Sequence, residues 1–572
     1  MSAEAVALIR AIRECPDDDL PRLAYADLLE ENGDTDRGVF IRTQVELSRL
    51  PEDDPRRREL EDREHNLLAE NEAHWLADLL GEPASPGASG LHEWEWERGF
   101  VVEVAATPLL MLERGPGLFA EHPVRRWRVM SSQSDLKPDL IEAGRTSWAR
   151  RLEAVDLSGW YQEIGELERF LTRSDLERLR ELNLTGGPGL ANLPEILGRS
   201  PFRDGLKALR CGGSDTGAYG RLDLWDLAQV LESARLSELA APGSLLTAGD
   251  LRTLLVSPCA RELTSLDVHG NDVEPDGHDA FRHTRCRLRE LDLSFTPLGA
   301  IGLESLLGYE SLTELRSLEL NGCGSAMANV RAIARSRFWR QAEELRMHTG
   351  TVPERALDPI FESPRGPAGL RALDVSVNYL RDAGVEQLCA AEWAGSLAWL
   401  GLSQNYLTDD AARTIAASGR FTRLRTLHLS FNHALHQEDA AEHETITDVG
   451  AVALAGAPSL ANLRLLGLSG TQLAAAGVDA VLNGPHWRLS GLRLARCDLT
   501  PEAVRVLAAS PRLARLELLD LVHNPRLGRD ALMPLAESEY LCPLTELDVR
   551  GVSLDDDVRQ VLRQRLGRRL SE

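Results

Sequence analysis

The chain has 572 residues, 43% of them hydrophobic, and a formal net charge of −25 at neutral pH. That length exceeds one compact core and demands several domains or a repeat array that buries its core layer by layer. The charge argues against nucleic acid, whose phosphates need a basic footprint, and no uncharged apolar run reaches the roughly 20 residues that span a membrane.

Met1 to Ile12 carries Glu4 and Arg10 and lacks a cleavage-like end, so no secretory signal is read and a cytoplasmic protein is expected. Residues 1–80 read as a small all-α domain of four helices: Ala3 to Cys15, Leu20 to Glu31 stopped by Asn32-Gly33, Thr35 to Leu50 stopped by Pro51, and Arg56 to Leu80. Apolar residues recur at helical spacing, among them Leu23, Leu28, Phe40, Ile41, Val45, Leu60, Leu67 and Trp75, so the helices pack on one another. Asp27, Arg22, Arg37 and Arg42 cluster near helix ends, where acids and arginines are expected to pair and cap.

Pro16-Asp17-Asp18-Asp19, Tyr25-Ala26-Asp27, Leu29-Glu30-Glu31, Gly33-Asp34, Arg37 and Phe40-Ile41-Arg42 resemble the bacterial repeat-companion domain, a short module found ahead of repeat arrays. The resemblance implies an architecture and no activity. Residues 81–93 follow as a linker, opened by the Gly/Pro/Ser-rich stretch 81–90. Residues 94–123 are expected to cap the first repeat, with Trp94 to Val104 as one strand presenting Trp96, Phe100, Val102 and Val104 inward.

From Val124 onward one unit recurs. Its clearest copies are Leu370, Leu373, Val375, Asn378 and, 27 residues later, Leu397, Leu400, Leu402, Asn405. Sixteen units begin at Val124, Leu152, Leu179, Leu206, Leu236, Leu263, Leu288, Leu315, Ala342, Leu370, Leu397, Leu424, Leu463, Leu489, Leu516 and Leu544. A strand contributes alternate apolar residues to a core, an asparagine closes the turn, and a helix returns the chain. The pattern resembles the ribonuclease-inhibitor type of leucine-rich repeat, with Cys323 and Cys497 standing in for asparagine. The resemblance implies an α/β solenoid over residues 124–572, a horseshoe with parallel strands inside and helices outside, closed by a helix from Asp555 to Leu570.

Taking the first apolar residue of each unit as position one, positions three, five and seven face the ligand side and position eight lies at the strand exit. Two surfaces stand out. Asp267, Asp292 and Glu319 make an acidic band at position five, suited to a basic partner or serving only solubility. Asp374, in the same column, reads as a replaceable surface carboxylate. Farther on, His428 sits between Gly401 and Gly467 with Trp399 and Leu465 at position three and Val377, Gln404 and Phe431 at the exits, a furrow with a binding hot spot's composition. The competing reading folds Trp399 or Phe431 down over its neighbours, or leans the helical domain onto the furrow.

The unit after Leu424 is 39 residues long, so about 12 extra residues emerge beside the furrow after Asn432. His433, His436, Glu438, Asp439, Glu442 and His443 make that stretch of 433–446 a polar loop, a candidate lip; histidine with carboxylate also suits divalent metals, but no metal or cofactor is assigned. The eight cysteines show no paired short spacing. All but two of the 64 basic residues, Lys137 and Lys207, are arginine, a bias associated with GC-rich bacterial genomes. No phosphate-cradling glycine loop, zinc-helix motif or legible nucleophile and base is present, so no catalytic residue is assigned. The expected function is a noncatalytic scaffold that binds a protein partner on its concave face, with no nucleic acid and no membrane. The alternatives are an inhibitor or regulator of an enzyme, as ribonuclease-inhibitor-like and GTPase-regulating repeat proteins imply, and a structural protein that self-associates.

Overall fold

The computed structural model describes residues 2–51, 54, 56–76, 91–130, 139–158, 160, 164–187, 192–213, 222–323, 326–348, 357–362, 366–432, 445–485, 489–541, 546–566 and 570–572. The 433–444 part of the insertion, stretch 81–90 of the linker and residues 77–80 of the fourth predicted helix lie outside them. The chain forms two compact units, one of Met1–Leu246 with Asp250–Leu266, the other of Thr247–Gly249 with Asp267–Glu572.

The first unit opens with helices α1 (Ala3–Glu14), α2 (Leu20–Glu31), α3 (Thr35–Arg49) and α4 (Arg57–Trp75). Ser2 and Asp34 accept hydrogen bonds from the amides of Ala5 and Arg37, satisfying orphan donors at the starts of α1 and α3. Trp94 to Val104, expected as one strand, is instead a hairpin of β1 (Leu91–Glu97) and β2 (Phe100–Ala106), so strand begins inside the expected linker. Gly99 explains the turn. Its φ is +87°, and a Cβ there would lie 2.4 Å from Cγ1 of Ile41, so only glycine lets the hairpin tip press on α3. Phe100 then joins Ile12, Ala26, Ile41 and Val45 in one buried cluster, giving helices and hairpin a common core.

The arginines near these helix ends separate into two kinds. Arg42 pairs with Asp27 and, at 3.0 Å, with Glu30, as expected. Among the described residues Arg37 forms no ion pair with an acid: its guanidinium donates to the carbonyl of Gly99 at 2.5 Å and lies within 4.7 Å of the ring centres of both Trp75 and Trp96. Arg22 is fully buried, 5.5 Å from the Phe100 ring. Burial pushes both guanidiniums down to about 10. From β2 the chain passes through α5 (Pro108–Glu121) to strand Arg126–Val129, parallel to β2, and on through parallel strands at 154–156, 181–183, 208–210 and 238–240.

In the second unit, parallel strands run from Glu290–Asp292 to Glu546–Asp548 with no slip of register. Each pairing stacks the central leucines, Leu291, Leu318, Leu345, Leu373, Leu400, Leu427, Leu466, Leu492, Leu519 and Leu547, all 2% exposed or less. Every unit start read from the sequence is followed two residues later by a strand. Helices such as Arg381–Ala390, Asp409–Ala417 and Ala475–Asn483 bury one face beneath these strands. The expected C-terminal helix stops at Leu566, and the chain adds a last parallel strand, Leu570–Ser571, beside 547–548. Arg559 and Arg563 hold it by pairing with Glu572 rather than serving only the helix end. Among the described residues no helix is long and apolar enough to cross a membrane.

Candidate protein-binding surface

The asparagines at position nine run as a buried ladder. Nδ2 of Asn405 donates to the carbonyls of Val375 (2.9 Å) and Ser403 (3.2 Å), and Oδ1 of Asn432 accepts from the amides of Asn405 (2.6 Å) and Leu407 (3.3 Å). Cys323 and Cys497 keep half of this pattern, with Sγ 2.9 and 3.1 Å from the carbonyls of Leu293 and Leu468. Position seven, expected to face a ligand, is a second ladder: Ser376, Ser403, Ser430 and Ser469 each accept the next strand's amide at 3.1–3.2 Å. Its hydroxyls extend the sheet's own bonding, so the face open to a partner is narrower than the sequence implies.

Position five is also partly consumed. The carboxylates of Asp267, Asp292, Asp374, Asp520 and Asp548 each accept from the amide two residues on, at 2.7–3.1 Å, an Asx-type turn that ends the strand. The acidic column therefore has a backbone cause. Asp374 is only 6% exposed, and its Oδ2 lies 2.6 Å from Nε2 of His348. Burial acts to raise this carboxyl, but His348 and the Ser376 bonds prevail and hold it below the usual range. It is not a replaceable surface group.

The acidic band has partners within the strand face. Nδ1 of His269 sits 2.8 Å from Asp267 and 3.7 Å from Asp292, and Arg346 lies 3.5 Å from Glu319. Burial, then the neighbouring Asp292, raises Glu319 to about 7, and burial also raises Asp292. Less negative charge is presented at neutral pH than three carboxylates would carry. Among the described residues, Asp267, His269 and Asp292 are the group whose donor atoms, all within 4.8 Å of one another, could share a cation.

Of the residues read as a furrow, Trp399 and His428 meet. Trp399, half-buried, stands 5.3 Å from the His428 ring on one side and has the Arg346 guanidinium 5.4 Å from its centre on the other. Burial, then the nearby Arg493, lowers the His428 imidazole below its ordinary value. The flanking glycines do not leave an open floor. A Cβ at Gly401 would lie 2.3 Å from Asp374, one at Gly467 2.8 Å from the His428 ring, and one at Gly491 3.2 Å from Leu465, because each side chain leans over the next strand.

Val377, Gln404 and Phe431 share a left-handed backbone, with φ of +58°, +55° and +56°, which turns the chain out of the strand. The Phe431 ring lies over Gly470, whose added Cβ would meet it at 2.4 Å, and Phe295 repeats the arrangement over Gly322 at 2.5 Å. Phe431 thus folds over its own neighbour. Sequence reasoning missed Tyr379 and Tyr406, which stack at 5.0 Å and 15° beside the same exits. The repeated Asn-Tyr-Leu at 378–380 and 405–407 was the signal, since identical residues one unit apart land side by side on a parallel ladder.

A leucine-rich-repeat family model matches residues 286–307. No curated protein sequence matches the chain. Among solved structures, the complex of Rad7 and Elc1 in yeast aligns at 20% identity and a TM-score of 0.36, covering 59% of this chain and 85% of that one. A leucine-rich-repeat protein of Leptospira interrogans aligns at 14% identity and 0.29, covering 78% and 99%. An internalin, inlF, from Listeria monocytogenes aligns at 15% identity and 0.23, covering 79% and 94%. The recurring strand, the asparagine and cysteine ladder and the returning helix are those of the leucine-rich-repeat fold, and over residues 286–307 the chain matches the leucine-rich-repeat family model.

Proposed function

We propose that the chain is a noncatalytic, cytoplasmic scaffold of bacterial origin that binds a protein partner on the strand face of its second unit, with residues 1–80 as a repeat-companion module. The observations that carry this reading are two clusters in the same units, Arg346, Trp399 and His428 on the strands and the stacked Tyr379 and Tyr406 at the turns that follow them. Aromatics and arginine held in place by their neighbours are the usual anchors of a protein interface, because little side-chain entropy remains to be lost on binding. The ladders of positions seven and nine support the same view, since they hold the backbone beneath that surface rigid. Leu465, Val377, Gln404 and Phe431 form its edge, and the acidic band is a secondary contact for a basic partner.

The test is comparative capture from native lysate on immobilised wild type and on a Trp399→Ala, Tyr406→Ala double variant. A protein retained by the first and lost by the second, with a Kd weakened at least tenfold for loss of a hot-spot pair, supports the reading. Equal retention by both refutes it.

A further inference from the structure

The first unit contains a cavity of ≈ 680 Å³ bounded by α1, the end of α5 and the turn at 149–151. Five arginines line it, Arg10, Arg13, Arg150, Arg151 and Arg178, against the glutamates Glu14 and Glu177. In a chain with 89 acidic and 64 basic residues such a concentration runs against composition. Two of the arginines are neutralised, Arg10 by Glu14 at 2.8 Å and Arg150 by Asp175 at 3.0 Å. The other three make no direct ion pair among the described residues, although Glu14 also feels the charge of Arg13.

Carbonyls at the end of α5 hold two of these. Arg13 donates to Ala120 at 3.0 Å, while Arg151 donates to Phe119 and, at 3.4 Å, to His122, with its guanidinium 5.2 Å from the Phe119 ring. Each guanidinium has five donors, so these bonds fix orientation and leave N–H groups to spare; Nε of Arg13 is buried without a partner. Arg178 is exposed at the rim. Burial, then Arg13 and Arg178, push Arg151 down to about 10, so each of the other two cations repels the Arg151 guanidinium. An anion between them relieves that repulsion, and the cavity volume lies within the roughly 300–1,000 Å³ of small-molecule sites.

We propose that this cavity binds a small phosphate-bearing polyanion on Arg13, Arg151 and Arg178. Guanidinium forks match phosphate oxygens bidentately, and three forks lining one cavity from different segments suit a tetrahedral group with several charged oxygens better than a planar carboxylate with two. Ile9 and the half-exposed Val6, 53% accessible, offer an apolar wall for an organic remainder.

Calorimetry on the full chain with inorganic pyrophosphate, sulfate and a pentaglutamate peptide tests this. Pyrophosphate should bind with a sub-millimolar Kd, about tenfold tighter than sulfate, and Arg178→Gln and Arg13→Gln should each weaken it about tenfold. Arg178 is exposed, so its variant should melt at the wild-type temperature, which separates lost binding from lost folding. Absence of pyrophosphate binding at millimolar concentration, full affinity in the Arg178→Gln variant, or tighter binding of pentaglutamate than of pyrophosphate would overturn the proposal.

Discussion

Replacing Gly470 with alanine tests the arrangement of the exit side chains directly. Gly470 has a φ of +72°, and an added Cβ would lie 2.4 Å from Cδ1, 3.0 Å from Cε1 and 3.2 Å from Cα of Phe431. The left-handed backbone costs an alanine about 1–2 kcal/mol, partly offset by about 0.5–1 kcal/mol because glycine loses more freedom on folding. Displacing the ring adds about 1–3 kcal/mol of overpacking, so Gly470→Ala should destabilise by about 2–3 kcal/mol in all. Phe431→Ala alone removes a half-buried ring and should cost about 1 kcal/mol. In the double variant the ring is gone, the overpacking vanishes, and the combined loss should fall short of the sum by about 1–2 kcal/mol. Urea unfolding followed by circular dichroism and tryptophan fluorescence measures all four corners of the cycle, provided the slopes agree. Losses that add to within about 0.5 kcal/mol would show that Phe431 does not lie over Gly470 in solution.

Removing the buried amide in Asn405→Ala should cost about 2–4 kcal/mol, whereas Asn405→Cys should cost about half as much, because a thiol keeps the donor while losing the acceptor. Equal losses in urea melts would mean that the cysteines at 323 and 497 are packing residues, not hydrogen-bonding substitutes. Glu319 is raised from 4.5 to about 7, so the folded state keeps a proton that the unfolded state releases. Its contribution is therefore complete at acid pH and is lost as the pH rises to about 7. Glu319→Gln should flatten that part of the stability profile between pH 5 and 8, and thermal melts with an unchanged pH slope would remove Glu319 from the account.

The leucines at position four, the asparagines and the sixteen unit starts were legible in the chain itself, because a parallel ladder repeats one set of local demands every strand. Alternation told which residues face inward, and Leu400 or Leu427 needed no partner's identity to be placed in the core. The strand face was less legible. Asp374, Ser403 and Phe431 occupy columns that alternation assigns to a ligand, yet their bonds and contacts run to adjacent strands or to the turn backbone, which only the stacked neighbours reveal. Cβ contacts at Gly401 and Gly467 show why the furrow's glycines matter: each makes room for the leaning side chain of the preceding strand. The hairpin at Arg98-Gly99 was likewise hidden, since Phe100 and Val102 keep the alternation of a single strand through the turn. The arginine cavity joins Arg13 to Arg151 across more than a hundred residues of chain, and no periodicity records that meeting. Local pattern encodes what every unit requires of its nearest neighbours; contacts made once, between segments distant in sequence, exist only after the core has folded.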